Sequence, residues 1–201
     1  MTEVLIRDAV LDDASALADV CIMAAHGVME LFYEGLVPGK SVSDLVISQR
    51  ILEPASFAAL TRWRVAVDSS GNFLGAMNCM DHRVMMEAPD DPLLDEARYA
   101  PIAGLLELEA AAAPSYYVNI IATYPQYRRS GVGLTLMHEA ERLARLEGFG
   151  RMCLCTFDTG DGPLGFYGRL GFEVVDTRPI DPHPAIGVTG NFVLMARELV
   201  G

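Results

Sequence analysis

Apolar positions along this chain recur at two spacings, and the changes between them lay out the elements. Val4-Leu5-Ile6-Arg7 reads as a short first strand. Asp12 and Asp13 stand where they can cap a helix, which Ala16, Leu17 and Val20 carry to Met23 or Ala24. Gly27 interrupts it, and a second helical stretch covers Val28 to about Glu34. Gly35 and Pro38-Gly39 make a loop, and Ser41 or Ser43 starts a third helix that ends before Pro54. Trp63 to Asp68 alternates as a strand, Ser69-Ser70-Gly71-Asn72 signals a hairpin turn, and Phe73 to Met80 is the partner strand. Residues 81–113 form an insert broken by Pro89, Pro92 and Pro101, with helix expected at about 93–98 and 101–112.

The second half is more regular. Tyr116 to Ala122 reads as a central strand and Leu134 to Glu147 as a long helix stopped by Gly148. Arg151 to Phe157 is the next strand. Pro163 suits the first turn of a helix running through Tyr167 to Leu170, closed by Gly171. Phe172 to Val175 and Phe192 to Arg197 are two final strands. The order is β-α-α-(α)-β-β-(insert)-β-α-β-α-β-β, an α/β chain with a mixed sheet. Neither a repeat nor a linker divides the 201 residues, so one domain spanning 1–201 is expected.

Between the central strand and the long helix lies Tyr124-Pro125-Gln126-Tyr127-Arg128-Arg129-Ser130-Gly131-Val132-Gly133-Leu134. A strand, a basic glycine-containing turn and a helix N-terminus make an anion site. The first-turn amides have no intrahelical acceptor, and the helix dipole puts partial positive charge there. Gly131 and Gly133 leave the backbone open to a bulky anion, and Arg128 and Arg129 add charge. A nucleotide P-loop would need a Lys after Gly133, and a dinucleotide fingerprint would need a third glycine; both are missing.

Arg128-x-x-Gly131-x-Gly133, preceded by Ile121 to Pro125, resembles the acetyl-CoA signature of the GNAT superfamily of N-acetyltransferases. Downstream, Gly165 to Phe172 is similar to that superfamily's Phe-Tyr-x-x-x-Gly-Phe segment. The close resemblance covers Tyr116 to Val175. It implies a GNAT-like acyl-CoA N-acyltransferase fold, with a splayed central sheet flanked by helices. The pantetheine arm would lie in the split, pairing with the strand edge at Ile121, Ala122 and Thr123. Arg128, Arg129, Ser130, Gly131, Val132, Gly133 and Leu134 would hold the diphosphate of acetyl-CoA, the co-substrate. Tyr167 matches the family's general acid, which protonates the thiolate leaving group. The implied reaction is acetyl transfer to a primary amine by direct attack in a ternary complex. A non-catalytic CoA-binding sensor or assembly module of the same fold is the alternative.

Two departures stand out. Some members carry a Glu base twelve residues before the Tyr, where this chain has Cys155. Others carry a cofactor-binding Asn seven residues before it, where this chain has Gly160. Water-mediated deprotonation is therefore the expectation, with Asp158, Glu107 and Glu109 as candidate bases more in keeping with solvated acids, and Asn119 as a group that could orient a water. Tyr33, Tyr99 and Tyr116 could line an acceptor pocket, with core packing the expectation.

Charge changes the picture in one respect. The net charge is −12, so the chain should not bind nucleic acid through its overall field, and any diphosphate site must work locally. Residues 81–113 hold eight acids against Arg83 and Arg98, either a solvated face or an acidic mouth for a cationic amine. Cys21, Cys79, Cys153 and Cys155 read as apolar thiols of a reducing cytoplasm, and no Cys/His spacing suits a metal. No apolar run is long enough to cross a bilayer, and the N-terminus does not read as a signal peptide. The acceptor stays open, as does the oligomeric state, though the resemblance implies that final strands can pair into a homodimer.

Overall fold

A computed structural model describes residues 3–159 and 162–199. Gly160, at the position of the family's Asn, lies outside the described residues. The strands are β1 (Leu5–Asp8), β2 (Trp63–Val67), β3 (Phe73–Asp81), β4 (Tyr116–Thr123), β5 (Arg151–Phe157), β6 (Glu173–Pro179) and β7 (Asn191–Glu198). The helices are α1 (Ala14–Ala25), α2 (Val28–Tyr33), α3 (Val42–Val46), α4 (His82–Glu87), α5 (Glu96–Tyr99), α6 (Ala103–Ala110), α7 (Val132–Leu146) and α8 (Pro163–Arg169). The strands form one sheet in the order β1-β2-β3-β4-β5-β7-β6.

Only β4 and β5 run parallel, and they pair only from Tyr116 to Val118 against Met152 to Leu154. Beyond that point β4 stays bonded to β3, as in Ala122 opposite Ala76, and β5 stays bonded to β7, as in Thr156 opposite Val193. Each strand keeps one partner, so the sheet can part between them without stranding whole ladders of backbone groups. The facing edges in the gap are left free for another chain-like partner.

A bulge sharpens this geometry. Asn78 sits opposite Ile120 and Cys79 opposite Val118, so Asn119 is the extra residue of β4. The alternation of faces resets there: Tyr117 and Ile120 face one core, Val118 and Ile121 the other. An extra residue bends and re-aims a strand, which here happens at the point where the sheet opens.

The two faces bury separate cores. α1 to α6 cover one, with Leu17, Val20, Tyr33, Val46, Trp63 and Leu108 inside. α7 and α8 cover the other. In α7 the buried positions Val132, Leu136, Met137, Ala140, Leu143 and Ala144 form one stripe at helical spacing, and Gly148 at φ +81° ends the run.

Three expectations shift. The long helix begins two residues earlier, at Val132, because Gly131 at φ +94° takes the cap position. The third helix is α-helical only to Val46; Ile47–Ile51 is a π turn, closed by Leu52 N donating to Ile47 O at 2.8 Å. The insert starts with an unexpected helix, α4, capped by Asp81, whose Oδ1 accepts from Arg83 N at 2.9 Å. No described helix is long and apolar enough to cross a membrane.

Candidate active site

The turn before α7 is built around left-handed backbone. Arg129 has φ +62° and Gly131 φ +94°. The first bond of the helix runs from Thr135 N to Gly131 O at 3.0 Å. The N–H groups of residues 129–134 therefore have no acceptor among the described residues. Ser130 is folded back, its hydroxyl donating to Tyr127 O at 2.5 Å. A Cβ at Gly131 would meet nothing within 4 Å, and one at Gly133 would reach Phe166 at 3.5 Å and Thr123 Oγ1 at 3.8 Å, both ordinary contacts. The glycines at this turn are thus not required by neighbouring protein atoms; they leave room outside it.

From this turn a cleft of about 250 Å³ runs along the gap in the sheet. Ile121, Ala122, Thr123 and Arg128 line it, with Tyr167 on the far side. Tyr167 is buried, packed between Phe166 and Phe172 at ring separations of 5.2 and 6.0 Å. Its hydroxyl has no hydrogen-bond partner among the described residues, and burial holds its pKa above the ordinary phenol value. It is a neutral O–H facing a cleft. His26, which looks isolated in sequence, ends α1 in left-handed backbone, lines the same cleft and sets its ring edge on Phe157 at 4.9 Å.

Beside it, on the face covered by α1 to α6, lies a second cavity, of about 340 Å³. The two spaces share Ala24, Asn119, Ile120, Cys155, Thr156 and Phe157. They meet where β4 and β5 part. The second cavity is walled by Met29, Phe32, Phe57, Met85, Tyr99 and Phe157 among others, and Arg50, Asp90, Asp91 and Glu109 supply its charge.

Of the three candidate acids, the cavity holds one. Glu107 pairs with Arg178 at 2.8 Å on the surface. Asp158 accepts from Asn191 N and Nδ2 at 2.7 and 2.6 Å and so anchors the start of β7. Glu109 points inward from α6, accepting from Tyr117 Oη at 3.4 Å. Burial raises its carboxyl from 4.5 to about 7, against smaller downward pulls from Tyr117 and the Arg50 charge. His82, fully buried, lies with Nε2 2.7 Å from the Glu109 carbonyl oxygen and so fixes the backbone beneath that side chain. Asn119 Nδ2 donates to Asn78 Oδ1 at 2.9 Å, tying the bulge to a buried Asn that in turn donates to Arg62 O at 3.2 Å.

The tyrosines separate. Tyr99 lines the cavity. Tyr33 packs in the core, yet its hydroxyl reaches Asp91 and accepts from Arg50. Tyr116 is core on the other face, near Cys79 and Glu147. His138 is exposed on α7. All four cysteines are free thiols, and no group of metal-ligating side chains occurs among the described residues.

An open mixed sheet, parted beside a glycine turn and joining two cavities through the gap, defines an acyltransferase of the GNAT fold. The acetyltransferase (GNAT) family model matches residues 62–172, and the chain belongs to that family. Solved structures agree on the fold. A Drosophila melanogaster polyamine N-acetyltransferase that forms N-acetylagmatine is 15% identical, with TM-score 0.66 over 98% of this chain and 100% of that one. A mosquito arylalkylamine N-acetyltransferase-like 5b is 19% identical, with TM-score 0.65 over 98% and 100%. An agmatine N-acetyltransferase is 15% identical, with TM-score 0.66 over 98% and 99%. No curated protein sequence matches the chain.

Proposed function

We propose that this acetyltransferase moves the acetyl group of acetyl-CoA to a primary amine by direct attack, with both substrates bound. One observation carries the reading: a cleft bounded by Arg128 and the free edge of β4, and an acid-bearing cavity, adjoin each other at Asn119, Cys155 and Thr156. The diphosphate is assigned to the unpaired amides of residues 129–134, helped by Arg128 and Arg129. The pantetheine amides are assigned to the free edge of β4 at Ile121, Ala122 and Thr123. The thioester then arrives at the gap, and the acceptor enters through the second cavity.

The amine arrives protonated and cationic, and must lose a proton before its nitrogen can attack. Glu109 is the acceptor for that proton, directly or through a water at Asn119. A carboxyl raised to about 7 is nearly matched to this task at neutral pH. The nitrogen lone pair forms the C–N bond, and the nitrogen, then carrying one proton too many, releases it to solvent water as the amide forms; the C–S bond breaks, and sulfur leaves with the electron pair. Tyr167 protonates it, and solvent restores the phenol. The Cys155 thiol stands at the junction, but burial raises its pKa and keeps it neutral, which disfavours an acyl-cysteine intermediate. The solved proteins of this fold named for agmatine, polyamine or arylalkylamine motivate the choice of an amine.

The test is calorimetric titration with acetyl-CoA followed by a thiol-release screen of primary amines. Binding with turnover of at least one amine is expected; no binding at millimolar acetyl-CoA discards the reading.

A further inference from the structure

The acceptor cavity contains a guanidinium whose hydrogen bonds are mostly unused. Arg50 sits in the π turn, with its side chain only 11% exposed. Three rings box it in: its Cζ lies 5.5 Å from the centroid of Phe32, 5.8 Å from Tyr33 and 5.4 Å from Phe57. Its Nε donates to Tyr33 Oη at 2.7 Å, with Asp91 Oδ2 at 3.9 Å. Neither Nη has a hydrogen-bond partner among the described residues, and neither is sealed away from the cavity. A guanidinium carries five N–H donors, and buried donors are normally satisfied. Here one is spent and four are not.

A purely structural role accounts for the Nε edge alone. That edge ties Tyr33 to Asp91 of the insert. The insert is already anchored there, because Arg98 Nη1 donates to Leu31 O and Phe32 O, both at 2.8 Å. The Nη edge is a rigid planar fork, which matches a carboxylate in a two-point contact. Aromatic walls lower the local dielectric and strengthen such a pair. Glu109 lies in the same cavity and is suited to the ammonium end.

We propose that the acceptor is an amino acid-like zwitterion: a primary amine that also bears a carboxylate, with the carboxylate held by the Nη edge of Arg50, the amine directed to Glu109, and an apolar body against the Phe and Met walls. This rests on the amine-acetylation reading above and narrows it.

The test uses matched pairs that differ only by the carboxylate: L-phenylalanine against 2-phenylethylamine, L-methionine against 3-(methylthio)propylamine, and 6-aminohexanoate against pentylamine. Thiol release from acetyl-CoA is followed with the full-length protein. For at least one pair the acid-bearing member should have a kcat/KM higher by about 30-fold or more, chiefly through KM, as a charge-assisted pair supplies. Arg50→Met should bring that ratio to within about threefold of unity, and Arg50→Lys should fall between, since it keeps charge but loses the fork. Equal or better turnover of the carboxylate-free member in every wild-type pair overturns the proposal and leaves amine acetylation standing. A ratio that survives in soluble, folded Arg50→Met overturns it as well. No turnover of any member of any pair overturns the zwitterion proposal, while amine acetylation itself is decided by the wider screen of primary amines. The wild-type comparison decides even if Arg50→Met does not fold.

Discussion

The turn before α7 and the cavity beneath the insert, the two binding sites proposed above, are built by opposite means. The turn is one contiguous stretch whose working groups are main-chain amides, and its side chains mostly need to stay out of the way. The cavity is assembled from α1, α2, the π turn, α4 to α6, β4 and β5, and its working groups are side chains. Main-chain recognition tolerates many residues but requires particular backbone angles. Side-chain recognition requires particular residues, and their meaning depends on what surrounds them.

The sharpest way to break this comparison is Gly133→Asp. An acid in the first turn suits the helix dipole and meets only ordinary contacts, so the fold should hold, with melting temperature at or above wild type. Beside a diphosphate it repels, and kcat/KM should fall by about 1000-fold through the KM for acetyl-CoA. An unchanged KM in steady-state kinetics would remove the turn from the cofactor site.

Next comes Glu109→Gln, which should lower kcat by about 100-fold. Wild-type kcat/KM should rise with pH through about 7, and the variant should lose that limb. Stability should move the other way. The folded carboxyl titrates at about 7 rather than 4.5, so the folded state binds more protons between those values. Wild-type stability therefore declines as pH rises across that window. Above pH 7 the Gln variant should be the more stable by about 1–2 kcal/mol in urea unfolding, and near pH 4 the two should converge. A variant less stable at pH 8 would contradict a desolvated carboxylate.

Tyr167→Phe should cost about 10- to 100-fold in kcat while acetyl-CoA affinity stays within about twofold, because the hydroxyl acts only as the C–S bond breaks. The smallest effect belongs to Arg129→Ala. This exposed charge should change the KM for acetyl-CoA by about three- to fivefold at low salt, and less as salt rises. A salt-independent loss would make Arg129 a fixed, desolvated contact instead.

What the chain order settled on its own is the local half of this account. Strand and helix placement followed from apolar spacing, as in β5, predicted and found at Arg151–Phe157. The glycine turn was legible because left-handed backbone favours Gly, as at Gly131, and a contiguous stretch carries the whole signal. The cavity was not legible, because burial and partners belong to the folded neighbourhood rather than to a residue. Glu107, Glu109 and Asp158 look alike in sequence; only folding sends one to Arg178, one to Asn191 and one beneath Tyr117. Arg50 looks like a surface cation until a π turn sets it among Phe32, Tyr33 and Phe57. The bulge at Asn119 likewise arises only from pairing with β3. Backbone preferences are short-range and leave a local signature, whereas a desolvated charge is a property of everything packed around it.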